Sequence, residues 1–216
     1  MGEPVFTIGH STHSSSKLVA LLRSHGITAV GDVRSQPFSR MNPQFNLGEI
    51  RAALRAAGIG YVFLGKELGA RAEDSECYIQ GKVQYDRLSR TTLFQSGLDR
   101  VVRGSERHRI ALLCAEKEPL GCHRTILVSR HLATRGLSIQ HILESGALES
   151  HDATMNRLLR DLGLPLQDFF RSREDLLREA YERRGEQIAY TVKPHGENAS
   201  GRGTTHEDVH DWIHQD

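Results

Sequence analysis

The sequence predicts an α/β protein with a mostly parallel sheet, and three observations carry that prediction. Apolar runs of strand length recur at residues 5–8, 27–30, 61–64, 110–113 and 138–143, short and continuous as expected for strands buried on both faces. Stretches with apolar residues at helical spacing lie between them, and strands alternating with helices need right-handed crossovers and hence parallel neighbours. Four of the runs stop in polar loops, which a parallel sheet gathers at its carboxyl edge, where such folds bind ligands.

Residues 5–8 form the first strand, closing at Gly9-His10-Ser11-Thr12-His13, and Ser14 to Ser16 supply capping hydroxyls for a helix whose Leu18, Leu21 and Leu22 share one face. After Gly26 the second strand, 27–30, closes at Gly31-Asp32-Val33-Arg34. Pro37 and Pro43 exclude a regular helix from 35–45, which is read as a long polar loop. A second helix runs through Ile50, Leu54 and Ala57 and is stopped by Gly58, and the third strand, 61–64, ends at Gly65. From 66 to 88 the periodicity fails, so an excursion or lid with exposed Tyr78 and Tyr85 is expected. Phe94, Leu98, Val101 and Val102 mark a helix that feeds the strand at 110–113, and residues 125–135 resume helical spacing through Ile126, Leu127, Leu132 and Ala133.

Residues 138–143 are expected to be the last strand, which makes 1–150 the α/β core. Helical patches at 155–162 and 172–184, the second opened by a Ser172–Asp175 capping box, give a C-terminal helical extension over 151–190 packed on the core. Residues 191–216 have almost no apolar content before Val209, Trp212 and Ile213 and are expected to form a flexible polar tail.

A chain of 216 residues with 38% hydrophobic content can bury one sizeable core. The net charge of +1, from 28 basic and 27 acidic residues, excludes a broad basic field, so any anion site must be local. No run approaches the roughly 18 apolar residues of a membrane span, and the start lacks a signal-peptide pattern; a cytoplasmic protein without a membrane partner is expected. Three cysteines in a chain this long argue against a disulfide framework and suit reduced thiols, a metal site or a redox pair. Cys77 stands apart from the other two as a bystander.

The richest loop runs from Cys114 to Arg124 and contains Glu116, Lys117, Cys122 and His123. His10 and His123 are candidate acid/base groups or ligands, the alternative being hydrogen-bonding residues of their loops. Asp32 is placed to orient a base, hold a ribose hydroxyl or pair with Arg34. Arg34, Arg40, Arg71 and Arg124 offer planar forks suited to phosphate, with Ser11, Ser39, Asn42, Lys117 and His123 as further binding groups. Removal of Arg34 or Arg40 is accordingly expected to spare the fold. Phe38 and Phe45 either stack a base or pin their loop. Cys122, beside His123, Arg124 and a helix start, has the setting of a nucleophile, whereas Cys114 at the end of an apolar strand is expected to be desolvated and inert. The spacing of Cys114 and Cys122 is not that of a zinc ribbon, so a metal site on Cys114, Cys122 and His123 is only the alternative reading.

Taken together, Thr7-Ile-Gly-His-Ser-Thr12, Asp32-Val-Arg-Ser-Gln-Pro-Phe-Ser-Arg40, Asn42-Pro-Gln-Phe-Asn46, Gly58-Ile-Gly-Tyr61, Leu68-Gly-Ala-Arg71, Cys114-Ala-Glu-Lys-Glu-Pro119, Cys122-His-Arg124 and His141-Ile142 resemble the bacterial and archaeal family called domain of unknown function 488. The likeness runs from about residue 5 to 190, with Ala70 where the family's usual motif has glycine. It implies a Rossmann-like three-layer α/β sandwich and the same polar loops. The expected function is an enzyme acting on a phosphate-bearing substrate, a nucleotide or a modified or damaged base in nucleic acid, by hydrolytic or glycosyl-transfer chemistry. His10, Asp32, Glu116 and Cys122 are its candidate catalytic groups, and no cofactor is assigned. The rival readings are a non-catalytic nucleotide- or nucleic-acid-binding module and a Cys/His metal-binding or redox-sensing domain.

Overall fold

The computed structural model describes residues 3–192; of the expected tail only Thr191 and Val192 fall within them, and Trp212 and Ile213 lie outside the described residues. β1 (Val5–Gly9) leads to α1 (Ser15–Ser24), β2 (Ala29–Asp32), a 3-10 turn (Pro43–Phe45), α2 (Leu47–Ala56), β3 (Gly60–Phe63) and the short α3 (Gly65–Leu68). A hairpin of β4 (Tyr78–Ile79) and β5 (Lys82–Val83) interrupts the alternation before α4 (Tyr85–Ser89) and α5 (Thr92–Ser105). Then come β6 (Ile110–Cys114), a π-helical turn (Arg124–Ser129) continuing into α6 (Arg130–Thr134), β7 (Ile139–Ile142), β8 (Leu148–Ser150), α7 (His151–Asp161) and α8 (Arg173–Ile188).

The main sheet has the order β3-β2-β6-β1-β7-β8. Its pairings are parallel except that β8 returns antiparallel to β7. The strand at 138–143 is therefore not the last: Gly146 at φ 90° closes a tight turn into β8, a strand of three residues that is too short to show alternation. Helices α1 and α2 send Leu18, Leu22, Ile50 and Leu54 onto Phe6, Ile8, Val30 and Leu113. On the other face Phe94, Leu98 and Val101 of α5 meet Leu127 and Leu132 over Val5, Ala29 and Leu112. Crossovers toward β3 use one face and crossovers toward β7 the other, as a constant hand of connection requires. Each fully buried side chain of this kind contributes roughly 1.5–3 kcal/mol of transfer free energy. Architecture and elements together are those of a Rossmann-like α/β sandwich.

Three local departures from sequence expectation bear on the site. The helix expected over 125–135 begins as a π turn, in which the Ser129 hydroxyl donates to the Arg124 carbonyl at 2.7 Å and every residue from Arg124 to Ser129 is buried. Such wide turns recur at functional sites. The excursion at 66–88 is ordered as α3, the β4–β5 hairpin and α4, and Tyr78 and Tyr85 are half-buried instead of exposed. The last described residues are paired with the hairpin: Val83 N–H donates to the Tyr190 carbonyl at 2.9 Å and Val192 N–H to the Gly81 carbonyl at 2.7 Å. Helices α7 and α8 pack on Leu120 and Ile126 through Met155, Leu158, Leu176 and Tyr181, so the extension braces the segment around Cys122. Among the described residues no helix is long and apolar enough to cross a membrane.

Candidate active site

The carboxyl ends of β1, β2, β3 and β6 meet as the sequence implied, and backbone bonds fix how. The β1–β6 ladder continues past the strands, with His10 N–H donating to the Cys114 carbonyl at 2.9 Å and Ser11 N–H to the Ala115 carbonyl at 3.0 Å. Ser11 adopts a left-handed φ of 47° to make the turn. Gly9 is required by close approach: a Cβ there would lie 1.8 Å from the Glu116 carbonyl oxygen. From beneath, the buried Arg124 donates through Nη1 to that carbonyl at 2.6 Å and through Nη2 to the Lys117 carbonyl at 3.2 Å. The loop after β6 is thus held on one side by the end of β1, distant in sequence, and on the other by its own last residue, Arg124.

These constraints bring four reactive side chains together. The Cys114 thiol donates to Glu116 Oε2 at 2.7 Å and the Cys122 thiol to the same oxygen at 2.9 Å. His123 Nδ1 lies 3.6 Å from Cys114 Sγ and 3.9 Å from Cys122 Sγ. The other ring nitrogen, Nε2, is 3.0 Å from the Val33 carbonyl; a carbonyl can only accept, so Nε2 carries the proton and the Nδ1 lone pair faces the sulfurs. Both cysteines are 2% exposed, while Glu116 keeps much of its surface in solvent.

Electrostatics separates the two thiols. Burial pushes Cys114 well up, and the neighbouring Cys122 sulfur pushes it further. Burial acts on Cys122 in the same sense, but its hydrogen bond with Cys114 and the Arg124 guanidinium overcome it and hold the thiol well below its ordinary value. The Arg124 amide adds a donor to Cys122 Sγ at 3.4 Å. Burial, then the Cys122 sulfur, raises Glu116. Burial opposes protonation of His123, yet Cys122 and Glu116 raise it on balance. Proton-sharing groups with divergent tendencies, set at the edge of a crevice, are what acid/base or metal chemistry needs.

A profile of the family described as "Domain of unknown function DUF488" matches residues 14–131. The chain belongs to that family. The matched span holds Asp32, Arg34, Cys114, Glu116, Cys122, His123 and Arg124, and it leaves β1 with His10, as well as α7 and α8, outside. No curated protein and no solved structure matches the chain significantly.

Not every predicted site residue of this DUF488 chain reaches the cluster. Asp32, wholly buried, accepts from the Arg34 backbone N–H at 3.1 Å, Nε at 2.9 Å and Nη2 at 2.5 Å, and from the Tyr61 hydroxyl at 2.9 Å. Arg34 Nη1 donates to the Phe45 carbonyl at 2.9 Å and to His10 Nε2 at 3.2 Å. His10 Nδ1 is occupied by the Ser11 carbonyl at 2.9 Å, its ring stacks on Phe45, and burial lowers its pKa. His10, Asp32 and Arg34 therefore form a buried network, of which Arg34 also reaches the wall of the cavity lined by Cys114 and Glu116. Arg124, wholly buried on backbone carbonyls, is likewise a clamp.

In the 35–46 loop the Ser39 hydroxyl accepts from Asn42 N–H at 3.0 Å and the Asn46 side chain accepts from Ser39 N–H at 2.7 Å. Arg40 is exposed there, and Ser39, Arg40 and Asn42 do not line the crevice. Phe45 pins that loop to the core, whereas Phe38 is 68% exposed. Lys117 is exposed and pairs with Glu144.

Arg71 is the exposed arginine that faces the chemistry. It lines a cavity of about 260 Å³ with Cys114, Glu116, His123, Tyr85 and Tyr190. Its guanidinium lies 4.3 Å from the Tyr190 ring centre and donates to Gln36 Oε1 at 2.7 Å. Tyr85 was expected only as an exposed residue of the 66–88 excursion, and Tyr190 and Gln36 were not singled out from sequence; an isolated tyrosine in a polar stretch gives no periodic signal, and only the pairing of residues 81–83 with 190–192 brings Tyr190 over the crevice. Cys114, not Cys122, lines that cavity, so the sulfur facing a ligand is the one expected to be inert. A hollow of about 480 Å³ between α6, α7 and α8 is larger, but it is walled by Arg130, Arg173, Arg178, Leu177 and Tyr181 and holds no thiol.

Proposed function

We propose that this DUF488 chain is an enzyme that hydrolyses a phosphate-bearing substrate, a nucleotide or a modified base bearing its phosphate, in the crevice above Cys114 and Glu116. One observation carries the reading: two thiols, a carboxylate and an imidazole lie within 4.8 Å of one another, and Cys114, Glu116 and His123 of that cluster line a cavity at the carboxyl edge of a parallel sheet. Glu116 is the solvent-facing member, and the burial that raises its pKa favours its taking up a proton. In the step proposed, a water oxygen bonds to the electrophilic centre of the substrate as its proton passes to Glu116. The bond to the leaving group breaks with its electron pair, and Glu116 returns the proton to that group. Arg71 faces the phosphate, and Tyr85 and Tyr190 give flat surfaces for a sugar or base.

The test is a panel of nucleotides, modified nucleosides and short oligonucleotides followed by chromatography, with the wild type and Arg71→Ala side by side. The expected outcome is turnover by the wild type, with KM raised by Arg71→Ala and rising with salt. Binding of panel members without turnover of any of them would replace the enzyme with a binding module.

A further inference from the structure

We infer that Cys114, Cys122 and His123 hold a tetrahedral divalent metal ion of the zinc type, with Glu116 at the fourth, crevice-facing position. This goes beyond the hydrolytic reading and stands without it: Glu116 takes the substrate water's proton only while it is off the ion.

The first ground is spacing. Metal–ligand distances of about 2.3 Å for sulfur and 2.05 Å for nitrogen, at a tetrahedral angle, put sulfur and nitrogen about 3.6 Å apart. His123 Nδ1 is 3.6 Å from one sulfur and 3.9 Å from the other. A carboxylate ligand would sit about 3.5 Å from each sulfur by the same construction; Glu116 Oε2 is at 2.7 and 2.9 Å. A shift of less than about 1 Å of a solvent-exposed side chain therefore completes the site.

The second ground is the imidazole. Its Nε2–H is spent on the Val33 carbonyl at 3.0 Å, which fixes the ring and aims the Nδ1 lone pair at the sulfurs. Metal-binding histidines are oriented in this way, by a carbonyl or carboxylate on the remote nitrogen.

The third ground is charge. Arg124 is wholly buried beside Cys122, its guanidinium donates only to backbone carbonyls, its Nε has no partner, and among the described residues no carboxylate pairs with it. A buried cation calls for nearby negative charge. Two thiolates and the Glu116 carboxylate supply three negative charges; a divalent ion plus Arg124 supplies three positive ones, and the site closes neutral. Thiolate and imidazole donors favour zinc over magnesium or calcium. On binding, the metal–sulfur bonds form as any proton on either thiol leaves to solvent; no electron moves. Cys77, in the 3-10 turn Ser75–Cys77, is not part of the cluster.

The experiment uses the full chain, purified untagged under reducing conditions. Elemental analysis is run first, and the metal-depleted protein is then titrated with Co(II) and followed by absorbance. The expected result is one equivalent of zinc as purified. Titration should give the visible bands of tetrahedral Co(II) and a thiolate-to-cobalt charge-transfer band, saturating at one equivalent and unchanged in Cys77→Ser. Cys114→Ser and Cys122→Ser should each remove the charge-transfer intensity of one sulfur and weaken Co(II) at least 10-fold, and Glu116→Gln should keep both sulfur contributions. Wild-type protein with reduced thiols that takes up neither zinc nor Co(II), or that binds either ion equally well after both cysteines are replaced, overturns the inference. Uptake with no turnover on the substrate panel would remove the enzyme and leave the metal site, while turnover by protein that takes up neither zinc nor Co(II) would do the reverse.

Discussion

Replacing Arg34 by alanine tests how the structure divides the arginines between scaffold and site. Sequence placed Arg34 with the phosphate ligands and made it dispensable to folding, but in the fold it is 6% exposed and locked on Asp32, which is wholly buried. The pair is joined by three hydrogen bonds from Arg34, at 3.1, 2.9 and 2.5 Å, and the Tyr61 hydroxyl adds a fourth to the same carboxylate at 2.9 Å. Deleting the guanidinium leaves a buried carboxylate with one side-chain donor and its own local amide. Breaking a buried pair from one side costs about 3–5 kcal/mol, a large part of a total stability of about 5–15 kcal/mol. At roughly 2–4 °C per kcal/mol for a chain of this size, Tm should fall by about 6–20 °C.

Urea unfolding followed by circular dichroism at neutral pH measures the loss, with Arg40→Ala as the exposed control, expected within about 0.5 kcal/mol of wild type. Pairing Arg34→Met with Asp32→Asn should cost less than the sum of the two single changes, because the uncompensated charge is then gone. A loss below about 1 kcal/mol for Arg34→Ala would refute the reasoning and return Arg34 to the ligand-binding side.

Gly9→Ala places a methyl 1.8 Å from the Glu116 carbonyl oxygen, so it should cost about 1–3 kcal/mol through forced backbone movement and also lower turnover, read by urea unfolding and the substrate assay together. Acid should destabilise the fold: burial lowers His131 and His151 to about 4 and also lowers His141 and His10, against His123, which among the described residues is raised. With folded values below the unfolded value of about 6.5, the contribution is complete above that pH and is lost as pH falls toward 4. Tm measured from pH 7 to 4.5 should therefore decline, and more gently in His151→Gln, whose ring otherwise sits between His141 and the Tyr181 hydroxyl; a flat profile contradicts this. Ser172→Ala removes the hydroxyl that accepts from Asp175 N–H at 3.1 Å at the start of α8, with an expected cost of about 1 kcal/mol in urea unfolding.

The layers were legible because burial writes periodicity: the runs at 5–8 and 110–113 are strands since both faces of the sheet are covered. The gathering of loops followed from parallel topology, and it brought Cys114, Glu116, Cys122 and His123 to one place. What sequence cannot carry is the direction in which a side chain spends its hydrogen bonds. Arg34, Arg71 and Arg124 look alike as letters, yet one neutralises a buried carboxylate in the cavity wall, one reaches the cavity from its exposed rim and one clamps carbonyls. The roles of the two thiols were separable in part: the buried strand end predicted the raised thiol at Cys114, and the neighbouring Arg124 predicted the lowered one at Cys122. Which sulfur lines the cavity depends on Tyr85 and Tyr190 closing over it, a long-range arrangement with no local signal.

The rate of Glu116→Gln on whichever panel substrate the wild type turns over tests the central claim most directly. The amide keeps the shape of the loop but cannot take or return a proton. If the crevice above Cys114 is the active site, kcat should fall by about 10²–10⁴-fold, while urea unfolding stays within about 1 kcal/mol of wild type, as expected at an exposed position. Turnover by Glu116→Gln within a few-fold of wild type, with stability unchanged, would place the chemistry elsewhere on the molecule.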